Sequence, residues 1–444
     1  MGSGTSLDYC DLTDVGRRRA NNQDSKAVLV PLSGEQFRRR GWLFVVADGM
    51  GAHAAGEKAS ALAVEHVPLA YEKLAARSPP LALKTSIEHA NAEIHARGEN
   101  AFDLRGMGTT CTALALVPRG ALIGHVGDSR AYRIRGDRIE QWSRDHSLAW
   151  EIESLRQPGA DEPIPKNIIT RSMGPHPQVA VDLEGPFTVE AGDVLLLCSD
   201  GLSGPVADQE IGLLASRLPP TEAAEALLGL SLVRGAPDNV TLIVARVGEK
   251  EASRIAAGDP PWPLAAENPV TAAPQPVPWK MLGVAAASLL VALLSSPWSS
   301  LMQADGAVGR LLGPALAPAM AFVVPVAMAL LFIGALLAAV LTSFVSNAGD
   351  VSVLEPGARL GSGPYRSYDC RPSEPLLEGI VASVESAADG LSTDHREQLL
   401  EAVAAARRPM ANHDLPAAVA AAAAAIATYR RFVAAARGDD TAHG

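Results

Sequence analysis

Residues 43–49 read LFVVADG, a run of apolar residues that ends in an acidic one. The apolar run predicts a buried strand, Leu43–Ala47, because β-branched and aromatic residues favour strands. Asp48 follows this strand directly, and a carboxylate at the mouth of a buried strand is costly unless a partner compensates its charge. We therefore expect the fold to place a partner for Asp48 at this end of the strand.

Three further clusters repeat this arrangement at distant positions. HVGDSR and LLLCSDGL place Asp128 and Asp200 after apolar runs, and in APDNVTLIV Asp238 comes just before such a run. If these carboxylates converge with Asp48, a hard divalent cation such as Mg²⁺ or Mn²⁺ is the natural partner, because both ions prefer oxygen ligands. The sequence therefore indicates a divalent-metal site.

The composition argues against several classes of protein. At 444 residues the chain is too long for one ordinary core, so two or three folded units are expected. The formal net charge of −11 argues against a general nucleic-acid-binding protein, which is usually basic. The four cysteines are far apart and form no CxxC pair, which disfavours a zinc site or a disulfide framework.

Residues 5–248 alternate strand-like and helix-like segments. Because strands follow one another and the helices cluster between them, the pattern favours an α+β layered sandwich over a βαβ repeat. The predicted strands are Ala27–Pro31, Leu43–Ala47, Thr110–Val117, Leu122–Val126, Ala131–Arg135, Val194–Cys198 and Val240–Val247, and the predicted helices are Gly56–Ala75, Leu81–Glu99 and Pro220–Leu232.

The composition changes after this region. Residues 249–279 are rich in proline and are predicted to form a linker, because proline-rich chains act as semi-rigid spacers. Two apolar stretches then predict transmembrane helices at residues 280–298 and 319–345, since roughly twenty helical residues cross a bilayer. The alternative is a pair of buried core helices. Basic residues flank the stretches and are scarcer between them, so we expect a multi-pass protein of the inner or plasma membrane with both large flanks in the cytoplasm.

Residues 374–437 are predicted to form a helical tail of two helices. The first carries LLEGIVASVESAADGL into REQLLEAVAAARR, and the second begins at Asp414 as N-cap and runs to Arg437. Alanine favours the helix but buries little area, so the tail must find a partner or pair with itself. Docking, dimerisation and passive packing all stay open as its role.

Eight motifs occur in order within residues 5–248: GRRRANNQDS, VVADGMGAHAAGEKAS, GMGTTCTAL, HVGDSRAYRIR, RDHSL, NIITRSMG, GDVLLLCSDGLSG and DNVTLIV. Together they resemble the bacterial branch of the metal-dependent type 2C (PPM) protein serine/threonine phosphatases. The resemblance implies an α-β-β-α sandwich that removes phosphate from phosphorylated proteins, the products of a serine/threonine kinase. It does not extend to the linker, the apolar stretches or the tail.

The resemblance also implies a set of metal ligands. Asp48 would bridge two Mn²⁺ or Mg²⁺ ions, and the carbonyl of Gly49 would help to complete the shell of one of them. Asp200 and Asp238 would bind the other ion, and Asp128 would help to hold a third, weaker one. Two such ions lower the pKa of a bridging water and neutralise the transferring phosphoryl group.

Phosphate binding and proton transfer are assigned to other residues by the same resemblance. Arg19 matches the phosphate-binding arginine, and a guanidinium offers paired donors to phosphate oxygens. Asp24 and Gln23 would lie near the water shell of the metals, and Gln23 stands where many members have a glutamate. Eukaryotic members carry a histidine directly after the Asp-Gly pair, where this chain has Met50. His53 is therefore the candidate general acid, with a metal-bound water as the alternative.

Some of these residues have plainer explanations. The first Asp-Gly pair could form a turn after its strand, since this dipeptide is common in turns. Asp128 could form a structural ion pair with Arg130. The GMGTT run at residues 106–110 is expected to allow close packing of strands, without a catalytic role.

The favoured interpretation is a membrane-anchored, metal-dependent protein phosphatase in the cytoplasm. A non-catalytic scaffold with a type 2C fold is an alternative, but it would be expected to lack a metal-binding aspartate and none is missing. A signal-gated membrane sensor is a further alternative that is compatible with the first. Hydrolysis of another phosphoester would share the same metal chemistry.

Overall fold

The computed structural model describes residues 7–51, 55–155, 168–249, 252–253, 258–264, 286–291, 293, 323–335 and 353–438. The chain forms two compact units. The first combines Met1–Leu264 with Val353–Gly444, and the second is Ala265–Ser352. The predicted catalytic region and the predicted tail therefore belong to one unit, and the apolar segment is inserted between two parts of it.

The first unit contains two antiparallel sheets. Their strands are β1 (Asp8–Asp14), β2 (Asp24–Leu29), β3 (Trp42–Met50), β4 (Gly108–Thr109), β5 (Cys111–Val117), β6 (Gly120–Val126), β7 (Arg130–Arg135), β8 (Arg138–Gln141), β9 (Asp182–Phe187), β10 (Val194–Cys198) and β11 (Val240–Arg246), while β12 (Trp262–Pro263) pairs with β13 (Val353–Leu354) and β14 is Arg366–Asp369. The first sheet has the order β1-β11-β10-β7-β8-β14. The second has the order β2-β3-β5-β6-β9, with β4 paired to β3.

Strand β3 shows how the sequence forms the core. Successive side chains of a strand point to opposite faces of the sheet. Phe44 and Val46 pack into a cluster that both sheets share, whereas Leu43 and Val45 pack into the cluster on the outer face of the second sheet. Because both faces are buried, this strand is apolar throughout rather than alternating.

Helices cover the outer faces of both sheets. They are α1 (Gly34–Arg40), α2 (Ala55–Lys73), α3 (Pro79–Asn100), α4 (Leu148–Leu155), α5 (Asp200–Ser203), α6 (Asp208–Arg217) and α7 (Pro220–Val233). Helices α2 and α3 pack on the second sheet, and α6 and α7 pack on the first. This is the predicted α-β-β-α sandwich, and the α+β fold class is confirmed for this part of the chain.

The elements predicted for residues 5–248 are all present, with their ends shifted by at most three residues. Eight further short elements escape the prediction: α1, α4, α5, α6, β1, β4, β8 and β9. Each is too short for its apolar periodicity to stand out from the surrounding sequence.

The tail forms three helices, so the prediction of two is wrong. They are α8 (Glu374–Ala387), α9 (Thr393–Ala411) and α10 (Leu415–Arg437). A 3₁₀ turn at Ala388–Gly390 separates the first two, because glycine disfavours the helix interior and Ser392 supplies an N-cap residue for α9. Helix α10 begins as predicted, with Asp414 Oδ1 accepting a hydrogen bond from the amide of Ala417 at 3.2 Å.

The partner of the tail is the sandwich itself. Helix α10 packs along α7, and Ile426 and Tyr429 are buried in the same cluster as Leu227 and Leu230. Gly229 of α7 makes this close approach possible, because a Cβ at this position would lie 2.5 Å from Cγ2 of Ile426. The tail thus adds a further helical layer over α6 and α7.

Part of the predicted linker, residues 249–279, also lies on the first unit. Strand β12 pairs with β13, so that the chain leaves and re-enters this unit at neighbouring strands. Trp262 of β12 is buried, and the guanidinium of Arg119 lies 4.1 Å from the centre of its ring. Trp262, the Arg119–Asp259 ion pair and the bridge between Val189 and Ser253 together dock this part of the segment.

The predicted transmembrane helices at residues 280–298 and 319–345 lie largely outside the described residues. The described parts are helical at 286–291 and at Val323–Ala335. In the second of these, Leu330 is 66% exposed and Ile333 is 58% exposed. Two spans at these positions stay a prediction.

Within the described part of the chain, one helix is long and apolar enough to cross a membrane. It is Leu415–Arg437, which is α10 of the first unit. Its apolar face packs against α7, so its length and composition are those of a core helix of the sandwich.

Candidate active site

One pocket of the first unit brings most of the predicted site residues together. It has a volume of about 280 Å³ and lies at the end of the sandwich where β3 and β10 end and β2 and β11 begin. Its lining residues are Arg19, Gln23, Asp48, Gly49, Met50, Gly51, Asp128, Ile169, Asp200 and Asp238. All five predicted metal ligands therefore share one pocket with the predicted phosphate-binding arginine.

Asp48 is held through its backbone by the strand next to it. The Asp48 amide donates to Thr110 Oγ1 at 2.8 Å, and the Thr110 amide donates to the Asp48 carbonyl at 2.8 Å. Thr109 Oγ1 donates to the same carbonyl at 3.0 Å. The GMGTT run thus allows close strand pairing, as predicted, and also fixes the backbone of Asp48, the predicted bridging ligand.

Asp24 lies opposite Asp48 across the pair of strands β2 and β3. Ser199, the residue before Asp200, donates its hydroxyl to Asp24 Oδ2 at 2.7 Å and accepts from the amide of Thr241 at 3.0 Å. The two sheets are therefore tied together directly beneath the carboxylates.

Asp238 and Arg19 form an ion pair at the pocket. Arg19 Nη2 lies 2.7 Å from Asp238 Oδ2. The neighbouring Asn239 holds the same loop, because its Oδ1 accepts from the Gln23 amide at 2.8 Å and its Nδ2 donates to the carbonyls of Val15 and Asn21 at 2.8 and 3.0 Å. The turn that carries Asp238 and the loop that carries Arg19 are thus one hydrogen-bonded assembly.

Arg130 has partners other than Asp128. Its guanidinium binds Asp145, with Nη2 and Oδ2 2.7 Å apart, and approaches Asp208 at 3.5 Å. Asp128 instead lines the pocket, and its Oδ1 is buried without a hydrogen-bond partner among the described residues. The arrangement disfavours a structural Asp128–Arg130 pair and leaves Asp128 available to a cation.

Comparison with known proteins gives the same family as the motifs. The family model described as protein phosphatase 2C matches residues 16–227. Protein phosphatase PhpP of Streptococcus pneumoniae is 36% identical over 248 residues, which cover 54% of this chain and 98% of that protein. The chain belongs to the protein phosphatase 2C family.

Further relatives of this phosphatase carry similar names. The serine/threonine phosphatase stp of Listeria innocua is 34% identical over 242 residues, which cover 52% of this chain and 92% of that protein. Among solved structures, the serine/threonine phosphatase PstP/Ppp of Mycobacterium tuberculosis is 36% identical, with a TM-score of 0.47, and the match covers 55% of this chain and 99% of that one. The relatives are protein serine/threonine phosphatases, and this is the enzyme class of the chain. The family model ends before the inserted segment and the tail.

The carboxyl groups of the phosphatase strongly affect one another. Burial raises the pKa of Asp48 well above its ordinary value, and the charges of Asp24, Asp200, Asp128 and Asp238 raise it further. Burial likewise raises the pKa of Asp24 to about 7 and that of Asp128 to about 7, with the charge of Asp200 adding to both. Five neighbouring carboxyl groups, of which those of Asp24 and Asp128 are buried, require positive charge nearby, and Arg19 alone does not balance them.

A divalent cation fits this set of donors. Asp24, Asp128 and Asp200 each have one buried oxygen, Oδ1, without a hydrogen-bond partner among the described residues. Buried polar atoms are rarely left unpaired, and carboxylate oxygens are the ligands that Mg²⁺ and Mn²⁺ prefer.

The set of ligands is open rather than closed. Within the described ranges, no three acidic, histidine or cysteine side chains already surround a single point. Mg²⁺ and Mn²⁺ tolerate this, because such ions commonly keep several waters and take only one or two carboxylates. The carbonyl of Gly49, which lines the pocket, is a further oxygen donor for such a shell.

His53, the predicted general acid, lies outside the described residues, so its assignment stays a prediction. Three residues of the quoted motifs hold the site although no role in it was predicted for them: Thr110, Ser199 and Asn239. Each is adjacent to a predicted motif residue or follows the GMG turn, and each holds a site residue through hydrogen bonds. For Ser199 and Asn239, a small polar residue next to a predicted aspartate ligand was the available signal.

Proposed function

We propose that this phosphatase hydrolyses phosphoserine and phosphothreonine in proteins with two or three divalent cations, and that it works at the surface of a membrane. The observation that carries the metal dependence is the cluster of five buried or half-buried aspartates, three of which have an unpartnered buried oxygen among the described residues. The phosphorylated substrates would be products of a serine/threonine kinase.

The ligand roles are those that the resemblance implies, and the shared pocket supports them. Asp48, Gly49, Asp200 and Asp238 would hold two Mn²⁺ or Mg²⁺ ions, and Asp128 would contribute to a third. When bound, such ions activate water and neutralise the phosphoryl group. The protein's part is to fix the carboxylates in advance, so that little reorganisation is needed during the reaction.

Arg19 would bind the phosphoryl group. Its guanidinium has five N–H donors in a planar fork. One nitrogen binds Asp238, and the side chain is 52% exposed at the pocket. Donors of the same group can therefore reach a phosphate oxygen while Asp238 keeps its partner. Asp24 and Gln23 would orient water around the cations.

The membrane anchor would be the inserted unit. Its helix Val323–Ala335 exposes large apolar side chains, among them Leu330 and Ile333. Strands β12 and β13 pair, so both ends of the insertion start from the same place on one folded unit. A segment that begins and ends on the same side of a membrane must cross it an even number of times. This supports two spans, and the basic residues that flank them favour the cytoplasmic side for the phosphatase unit.

The test is phosphate release by the full-length chain in detergent micelles. With Mn²⁺ and a phosphothreonine peptide, we expect turnover that disappears in EDTA and in Asp238→Ala. Asp103→Asn, which removes an exposed carboxylate outside the pocket, is the matched control and should retain activity. Mn²⁺ binding without turnover would indicate the scaffold alternative. Faster turnover of p-nitrophenyl phosphate and no turnover of phosphopeptides would indicate another phosphoester.

Membrane association has its own test. Liposome flotation should carry the full-length chain to the top of the gradient. A variant in which a short loop replaces residues 265–352 should stay at the bottom while it keeps its activity. Flotation of that variant would contradict the proposed anchor.

A further inference from the structure

The loop that carries Arg19 contacts the end of the tail. This arginine loop, residues 15–23, connects β1 to β2. Arg437 of α10 donates from Nη1 to both oxygens of Asp14, at 3.0 and 3.2 Å, and from Nη2 to the carbonyl of Gly16 at 2.6 Å. Tyr429, also of α10, accepts a hydrogen bond from Arg17 Nη1 at 2.7 Å. The last two turns of α10 therefore hold the first half of the arginine loop.

The other side of the same loop lies against the turn that carries Asp238. The Arg17 amide donates to the carbonyl of Ala236 at 2.9 Å. Gly16 has φ +74°, and a Cβ on it would lie 2.1 Å from the carbonyl oxygen of Asp238. The arginine loop thus lies between the tail and the turn that carries Asp238. It has no room to shift toward that turn.

The tail reaches the turn from a second direction. Arg234, just after α7, donates to Ser383 of α8 at 3.2 and 3.3 Å and binds Glu210 at 2.6 and 2.7 Å. Because α7 leads directly into the turn of Asp238, the packing of α8 and α10 on α7 also fixes the start of that turn.

We infer that the tail positions the arginine loop. Tyr429 and Arg437 are positioning residues that hold Arg19 at the pocket. This inference rests on the proposed function of Arg19. The contacts of Tyr429 and Arg437 hold the arginine loop, which lines the pocket. Their loss should therefore weaken phosphate binding more than it slows the chemical step. The tail is then a built-in part of the active site rather than a separate docking domain.

The experiment compares Tyr429→Phe and Arg437→Ala with Arg431→Ala in the full-length phosphatase. Tyr429→Phe removes only one hydroxyl and keeps the buried ring, so the core stays filled. Arg431 lies on the same helix and bonds Thr428 of its own turn, which makes it the matched control. We expect KM for a phosphothreonine peptide and Ki for inorganic phosphate to rise about three- to tenfold in the two test variants, with kcat changed less than about twofold. Arg437→Lys should recover part of the loss.

Hydrogen exchange gives a readout that does not depend on activity. The amides of Arg17 and Gln23, which are bonded to Ala236 and Asn239, should exchange several-fold faster in Tyr429→Phe and Arg437→Ala than in Arg431→Ala. Faster exchange in a chain without turnover would sustain the positioning role and overturn the proposed function. Unchanged exchange together with unchanged KM and Ki would overturn the inference itself.

Discussion

Two hydrogen bonds join Thr110 to the backbone of Asp48. The Asp48 amide donates to the Thr110 hydroxyl oxygen, the Thr110 amide donates to the Asp48 carbonyl, and both bonds are 2.8 Å long. The hydroxyl of Thr110 also lies 2.8 Å from that of Ser129, next to Asp128. One threonine hydroxyl therefore connects the segments that carry two of the pocket aspartates.

Thr110→Val should destabilise the phosphatase and weaken its metal binding. Valine keeps the shape but leaves the Asp48 amide without its acceptor in a buried place, which costs about 1–3 kcal/mol of unfolding free energy. Denaturant unfolding and Mn²⁺ titration would measure both effects. Thr110→Ser is the matched control, because it keeps the hydroxyl and should bind Mn²⁺ as the wild type does. Equal Mn²⁺ affinity in all three proteins would show that this contact does not support the site.

Asp48→Asn should stabilise the metal-free protein. The carboxylate of Asp48 is buried among four others, and replacing it with a neutral amide removes part of that repulsion. In EDTA the variant should melt higher, by about 2–4 °C for each kcal/mol gained. Added Mn²⁺ should raise the melting temperature of the wild type and not that of the variant. Asp103→Asn should change neither value, and a metal-free Asp48→Asn protein that melts lower would contradict the electrostatic argument.

The free energy of unfolding should fall in acid because of His125. Burial, with the charge of His146 adding, lowers the pKa of His125 to about 3, whereas in the unfolded chain it is about 6.5. Between these values the unfolded state binds the additional proton. The contribution of His125 to the free energy of unfolding is therefore complete above about pH 6.5. It is lost as the pH falls toward 3, by at most about 1.4 kcal/mol per pH unit.

Urea unfolding of His125→Asn across this range checks the prediction. The variant is expected to be less stable at pH 7 and to show a flatter pH dependence than the wild type. His176→Asn, which changes an exposed histidine, should keep the wild-type slope. A wild-type slope in His125→Asn would assign the acid sensitivity to other groups.

The sandwich and the tail should unfold as one cooperative unit. Joining Leu264 to Val353 by a short loop should preserve this unit, since the strands that these residues adjoin are paired. Ending the chain after residue 250 should instead expose the face of α7 that packs on Ile426 and Tyr429. We expect the looped variant to be soluble and active and the truncated chain to aggregate. A truncated chain with full stability would show that the tail is dispensable for the fold.

The sequence supports the sandwich and the acidic pocket well, because both depend on local signals. A five-residue apolar run such as Leu43–Ala47, ended by an acidic residue and a glycine, favours a buried strand. The repetition of this pattern at Asp128 and Asp200 indicates that the aspartates act together. The tail is different. Alanine-rich helices pack equally well on many surfaces, so their composition does not name the partner. Gly229 in the middle of α7 was the one local hint of a close helix contact.

Contacts between residues that are distant along the chain could not be predicted from the sequence either. Neither Arg437 nor Asp14 belongs to a motif, and they meet only because α10 lies along α7. Similarly, a serine before an aspartate gives no sign that it bonds an aspartate on the other sheet, as Ser199 does with Asp24. These pairings depend on how the layers stack, and propensity and periodicity do not encode that.

The most direct test of the account counts the bound ions and measures turnover in the same samples. Full-length wild type and Asp48→Asn would be loaded with Mn²⁺, freed of excess, analysed for metal per chain and assayed on a phosphothreonine peptide. We expect at least two Mn²⁺ per wild-type chain and fewer per Asp48→Asn chain. Asp48→Asn should also lose nearly all phosphate release. Equal Mn²⁺ content and undiminished turnover in Asp48→Asn would contradict the account.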